Sequence, residues 1–517
     1  MVRGTLFLNI NNNTRDMKKF MCAIALMFMT LGVGVAQQVE MRAQEVKSLT
    51  SGQASGAYFV GKKDGLSVMV TNVKYYMNAD ISTGVAIYGL NDEGKAEKKL
   101  MVSKSKESML VDANMQGDTI YMVVCGAVKG EPCDMHVFKA NLTSWTLVGE
   151  PKVLYHRRNK ESNMMDWEVR TSPDGHVKAI SIKEYSNSTR IAKAFGKEDA
   201  EYDAIVVADS RYAEMWRRDD LPGWYSQLTV DDNEMVHAML VGVSDSRTYL
   251  LFANHSSMGD EMNVDSLERG DLASYQLLNY VDGCFVVGGT IGEKRRGLHN
   301  IQYSALYGLS YDSQSKKMVF NPQALSETEF AVLENVDLGA RRSKESEIQG
   351  LTTKTGVATP YGGVMQILAF MTTTVYSKGT VDYVFDLHGS LMVAIDKNAN
   401  FVWRVPIRTH IRSGNDMSPI RQHVAYHGGK AYVIQTESVK APTGYDISQK
   451  VPMLAIMGAS KSTLSVYAID DGGRVEKYTL PQDKLLFLTG RLHRVDDDWF
   501  VTLSKLGKSR IVHIKGI

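Results

Sequence analysis

Over residues 389–407 the chain reads GSLMVAIDKNANFVWRVPI: apolar and polar positions alternate, the pattern breaks at KNAN, and the alternation resumes. A period of two marks a half-buried strand, and Asp and Asn close turns by bonding the local backbone, so this stretch predicts two strands and a turn. The unit recurs as AIYGLNDEGKAEKKL from Ala86, HVFKANLTSWTLV from His136, AIVVADSRYAEMW from Ala204 and AMLVGVSDSRTYLLF from Ala238. It returns in ALYGLSYDSQSKKMVF from Ala305, SVYAIDDGGRVEKYTL from Ser465 and WFVTLSKLGKSRIVHI from Trp499. Further short apolar runs precede several hairpins, such as GKAYVIQTE after Gly428 and DTIYMVVC after Gly117. Roughly three to four strands per unit, in about seven or eight units of uneven length, predict an all-β β-propeller. One small sheet cannot bury both its faces, whereas sheets stacked radially bury each face against a neighbour. Two or three consecutive all-β domains are the alternative. Helical periodicity is scarce: residues 326–349 are the best candidate, and their charged part, ARRSKESE, reads as a solvated loop.

The front of the chain departs from this pattern. Lys18 and Lys19 precede the apolar run FMCAIALMFMTLGVGV and the triplet Gly34, Val35, Ala36, the arrangement of a cleaved secretory signal peptide. The run is shorter than the ~20 residues a spanning helix needs. Residues 1–36 are therefore expected to be an N-terminal extension and signal peptide, with cleavage after Ala36, residues 37–57 a short linker or closing segment, and residues 58–517 one propeller domain. Residues 1–16 are either a long positive n-region or the product of a start codon placed too early. Export to the periplasm, more than to the medium, is the expected localisation. Cleavage removes Arg3, Arg15, Lys18 and Lys19 against Asp16 and leaves a net charge of about −2, which argues against a nucleic-acid or anionic-membrane partner. In an oxidising compartment Cys125 and Cys133, which flank the turn-like GAVKGEP, are the candidate disulfide, and Cys284 is expected to be a buried free thiol.

TSPDGHVKAI, from Thr171, holds a Ser-Pro-Asp-Gly turn followed by a strand, with Pro173 presetting the turn and Gly175 free to take positive φ. It resembles the segment that links strands in TolB-type and related propellers. The 389–407 unit with its Trp403 is similar to units of exported propeller-like bacterial proteins. These resemblances imply the fold and export, and no particular activity.

Catalytic motifs are wanting. TLSKLGKS, from Thr502, ends like a phosphate-binding loop but begins with Thr and sits in a terminal hairpin, and GVSDS, from Gly242, lacks the second glycine of a nucleophile elbow. Asp496, Asp497 and Asp498 read as a solvated turn. His423 and His427 lie on a predicted strand, about 13 Å apart at ~3.3 Å per residue, too far for one metal ion. Cys125, Cys133 and His136 lack a fourth zinc ligand, so neither metal nor cofactor is expected. Two segments exceed what the repeat requires. MWRRDDLPGWY places Trp216, Arg217, Arg218, Trp224 and Tyr225 around a Pro-Gly turn, and aromatics beside Arg suit recognition surfaces. RTHIRSGNDMSPIRQH reads as a polar loop with Arg408, His410, Arg412 and Arg421 as candidate partner-binding residues. The expected function is an exported binding or scaffold propeller of the bacterial cell envelope with a protein or glycan partner. The alternative is an envelope hydrolase acting on carbohydrate or peptide from the same loops.

Overall fold

The computed structural model describes residues 39–46, 57–73, 84–105, 107–127, 134–158, 164–185, 202–221, 227–244, 247–267, 272–294, 301–338, 348–377, 380–414, 422–455, 462–480, 488–495, 498–505 and 508–516. Eight antiparallel sheets follow one another along the described chain. Numbered in order, blades 1 to 7 cover residues 58–103, 109–155, 164–221, 227–267, 272–324, 351–414 and 423–479. Blade 8 takes three strands from residues 488–515 and its fourth from the other end of the chain. Glu40–Val46 pairs antiparallel with Lys508–Lys515, from Glu40 opposite Lys515 to Val46 opposite Ser509. Glu40–Val46 thus completes a sheet whose other three strands lie more than 440 residues further along the chain.

Alternation then does what the sequence pattern requires. In the third strand of blade 1, Val85 and Ile87 face blade 2 while Ala86 and Tyr88 face blade 8. Eight apolar clusters lie between successive blades, from 1 and 2 round to 7 and 8, and the last joins blade 8 to blade 1. Every sheet is covered on both faces, which only a closed ring achieves. First strands of neighbouring blades run beside one another, so they surround the axis. The described residues form an eight-bladed β-propeller.

The recurring hairpin has a common chemical device. In blades 1, 2, 3, 5, 6 and 7 the turn between third and fourth strands begins with Asn91, Asn141, Asp209, Asp312, Asp396 or Asp470. In each, a side-chain oxygen accepts backbone N–H groups two to four residues on, at 2.8–3.2 Å. Four of these turns pass through left-handed backbone three residues after the Asx, at Gly94, Tyr212, Ala399 and Gly473. The side chain holds the turn where a non-glycine residue such as Ala399, φ 66°, would otherwise resist it. Asp396→Ala removes the acceptor for the N–H groups of Asn398 and Asn400, and the expected loss is about 1–2 kcal/mol of unfolding free energy. Denaturant unfolding of the full chain measures it; an unchanged midpoint would mean the strands alone set the turn. Two predicted hairpins, from Ala238 and from Trp499, join second and third strands instead, the latter because Glu40–Val46 supplies the fourth.

Of the predicted helix over residues 326–349, only Glu327–Leu333, here α1, is helical, and residues 340–347 lie outside the described residues. Ser326 and Glu329 form a capping box, which sets its start. Phe330 and Leu333 fill the interface between blades 5 and 6. The helix end presses on Gly389, where an added Cβ would lie 2.3 Å from the Val332 carbonyl oxygen. Among the described residues no helix is long and apolar enough to cross a membrane.

Candidate functional site

Blade 6 is built differently from its neighbours. Its second and third strands, Gly362–Ser377 and Thr380–Asp396, are 16 and 17 residues long and stay paired from Gly362 opposite Asp396 to Ser377 opposite Thr380. The first strand reaches only Ala369 and the fourth only Val384. Beyond those points the two strands continue alone as a ribbon of four residue pairs, Thr374 opposite Tyr383 to Ser377 opposite Thr380, roughly 13 Å at ~3.3 Å per residue. In an up-and-down blade, second-to-third and fourth-to-first connections share a rim. The ribbon, the α1 segment between blades 5 and 6, and the insertion after Lys430–Ser438 in blade 7 therefore all stand on the same rim.

Cross-strand pairs give the ribbon two unlike faces. Phe370 with Leu387, Thr372 with Phe385 and Thr374 with Tyr383 share one face, and Tyr376 follows by alternation. Its base is a small apolar cluster of Leu368, Leu387, Ile411 and Leu454, with Phe370 and Phe385 packed against it. Leu454 arrives from the blade 7 insertion, whose Leu454–Ala455 strand pairs parallel with the fourth strand of blade 6. The aromatic row leaves this core outward: Tyr383 is 46% and Tyr376 78% exposed.

The opposite face carries charge. Asp386 and His388 are two apart on the third strand, and His410 and Arg412 are two apart on the fourth, Phe401–Gly414. Asp386 lies opposite Arg412, and a register shift between Leu387 and Gly389 brings His410 up beside both Asp386 and His388. The imidazoles stack with centroids 5.3 Å apart. Asp386 is 6% exposed. Its Oδ2 accepts from Arg412 Nε at 2.9 Å and also from Nη2. Its Oδ1 lies 3.3 Å from His410 Nε2 and 3.9 Å from His388 Nε2, contacts of ion-pair range without hydrogen-bond alignment. Burial pushes the Asp386 carboxyl up, but His410, Arg412 and the nearby His388 charge outweigh it and hold the group at about 2. Burial lowers the His388 pKa, so its ring favours the neutral form. Asn335, just past α1, reaches His410 Nδ1 through Nδ2 at 3.3 Å and is itself held by Val451, to whose carbonyl it donates at 3.1 Å. An ionised carboxylate and two imidazoles converging within 4.8 Å can exchange a proton or ligate a cation.

The residues singled out from sequence separate here. His410 and Arg412 belong to the cluster. Arg408 does not: it is 3% exposed and donates to the carbonyls of Ala331, at 3.1 Å, and Ile447, at 2.5 Å, clamping α1 to the blade 7 insertion. The expected loop over residues 408–423 is strand up to Gly414, because pairing with the long third strand carries it on. Arg421 lies outside the described residues, as do Trp224, Tyr225 and Cys133. Trp216 sits on Glu214–Leu221, the fourth strand of blade 3, buried against blade 4 with its indole N–H donating to the Glu234 carbonyl at 3.0 Å. Arg217 pairs with Glu214, and Arg218 with Asp260 at 2.9 Å, so both charges are matched within the fold. Cys125 is buried between blades 2 and 3, and Cys284 is half-buried where full burial was expected. His423 and His427 lie on one strand, His423–His427. Asp386 and His388 were not foreseen. Their spacing in DLH was a usable signal, since positions two apart in a strand share a face, but the partners across the sheet needed the register.

No protein-family model matches the chain, and no curated protein matches it. Similar solved structures include the polysaccharide lyase Uly1, at 11% identity and TM-score 0.37 over 92% of this chain and 99% of that one. The Dos1 propeller follows at 9% identity and TM-score 0.37 over 91% and 93% of the two chains. A member of the DUF4221 family from Bacteroides vulgatus has 9% identity and TM-score 0.26 over 79% and 98%. Similarities this distant bear on neither site nor activity, and the propeller assignment rests on the strand pairing and the eight interfaces.

Proposed function

We propose that this protein is an exported binding propeller of the bacterial cell envelope, which captures a protein partner on the aromatic face of the blade 6 ribbon. One observation carries the reading: a two-stranded ribbon, marginal on its own, holds Tyr383 and Tyr376 out into solvent in continuity with a buried apolar base. Tyrosines give large contact area at low ordering cost and are enriched where partners dock. The basic and apolar start of the chain supports export, and the TSPDG turn supports kinship with TolB-type propellers.

The test is quantitative capture from solubilised envelope with the mature chain and with a Tyr376→Ala/Tyr383→Ala variant. Recovery of the partner is expected to fall about tenfold or more, since each tyrosine is a candidate for the few residues that dominate binding. Both side chains are exposed, so unfolding temperature should stay unchanged. Undiminished recovery rejects this face. Turnover of polysaccharide or peptide by the mature chain would favour the hydrolase reading instead.

A further inference from the structure

We infer that Asp386, His388 and His410 form a site for one divalent transition-metal ion of the zinc class. Asp386 Oδ1, His388 Nε2 and His410 Nε2 are buried atoms with no hydrogen-bond partner among the described residues, and all three lie within 4.8 Å of one another. A single buried polar atom without a partner is an imperfection of packing. Three of them, each a good metal donor, meeting within 4.8 Å are what a coordination site requires.

The separations agree with this. Zinc sits ~2.0–2.1 Å from nitrogen and oxygen ligands, so tetrahedral geometry places two donors about 3.3 Å apart. The Asp386 Oδ1 to His410 Nε2 distance is 3.3 Å and that to His388 Nε2 is 3.9 Å, so rotation of the imidazoles by a small amount closes the set. The ligand chemistry selects the ion: two imidazoles and one carboxylate suit zinc and its neighbours, whereas calcium and magnesium demand more oxygens. Arg412 holds Oδ2, which turns Oδ1 toward the imidazoles and keeps the carboxylate singly coordinating. Three protein ligands leave coordination positions for a group donated by a partner. The site lies on the face of the ribbon opposite the tyrosines, and it stands whether or not a protein docks on them.

His410 sets the condition. Asn335 offers its amide nitrogen to Nδ1, so in the metal-free arrangement the ring proton belongs on Nε2. Metal on Nε2 moves that proton to Nδ1, and Asn335 must then turn its oxygen toward it, giving up its bonds to Val451. An aspartate at 335 would accept from Nδ1–H without turning and raise the basicity of the ligand, at the loss of the hydrogen bond to the Val451 carbonyl.

The experiment uses the full mature chain, stripped with a chelator and titrated with Zn2+ in a calorimeter. One equivalent is expected to bind, His388→Ala and His410→Ala each weakening it at least tenfold, while His176→Ala, on an exposed turn far along the chain, leaves it unchanged. Asn335→Asp should tighten binding about tenfold. No binding to the native chain overturns the site, as does unaltered affinity in the two histidine variants; unaltered affinity in Asn335→Asp removes His410 from the ligand set. Should the histidine variants misfold, Cu2+ bound to the native chain decides by electron paramagnetic resonance. Hyperfine splitting from two imidazole nitrogens supports the assignment, and splitting from one or none rejects it.

Discussion

Deletion of the Glu40–Val46 strand is expected to destabilise the whole molecule by roughly 3–6 kcal/mol, from two buried side chains at ~1.5–3 kcal/mol each. Met41 packs between blades 7 and 8, and Val46 between blades 8 and 1, so one short strand seals two interfaces. It also fastens blade 1 directly, since Gln44 Nε2 donates to the Asn91 carbonyl at 3.0 Å. Gly94 crosses the same strand so closely that a Cβ would fall 2.0 Å from the Glu45 carbonyl oxygen. A ring that cannot close leaves one face of blade 1 and one of blade 8 in water, and the effect should spread beyond the missing residues. Thermal unfolding of the protein with and without residues 40–46 measures it. A synthetic peptide of the strand should restore part of the loss by adding to the open edge of Lys508–Lys515. An unchanged midpoint would show that the ring holds without its clasp.

Lys477→Ala is expected to cost about 3–5 kcal/mol, the range for removing one partner of a buried ion pair. Lys477 Nζ lies 2.7 Å from Glu437 Oε2, and the two side chains are 4% and 1% exposed. Glu437 is the end of a chain of donors: Gln366 bonds Gln422, Gln422 bonds Gln435 at 2.6 Å, and Gln435 donates to Glu437 at 2.7 Å. Ser465 and Tyr467 donate to the same carboxylate. Lys477 Nζ also donates to the Pro442 carbonyl at 2.6 Å, which ties the blade 7 insertion to its outer strand. Without the ammonium, neutral donors alone must hold a buried negative charge. Lys477→Met with Glu437→Gln should recover most of the loss, because the pair is then replaced by neutral groups of similar size. Denaturant unfolding of the native chain and the two variants measures both effects; a single variant within 1 kcal/mol of the native chain would mean that water reaches Glu437.

Neither effect could be read from the residues alone. Lys477 and Glu437 are 40 positions apart in stretches that otherwise look like ordinary amphipathic strands, and Met41 follows soon after the apolar run of residues 20–35. The same holds at the candidate site. His410 and Arg412 stood out in a segment read as a polar loop, yet Arg408, equally polar, turned inward to cap backbone carbonyls of α1 and the insertion. Three residues of one short segment therefore took two fates, divided by the side of the strand they occupy and by what the neighbouring connections bring over them.

Local chemistry determined the strands, the hairpins and their Asx-closed turns, because alternation and short-range side-chain bonds act over a few residues and are printed in the sequence. The recurrence of short hairpin units also implied small sheets that must stack on one another to be covered, and from that a ring of them. The blade count, the clasp between the two chain ends, the lone ribbon of blade 6 and the meeting of Asp386, His388 and His410 were decided by tertiary structure. Each depends on register between strands and on which blade lies next to which, and those are settled by the total burial of all interfaces at once, a quantity no local stretch contains.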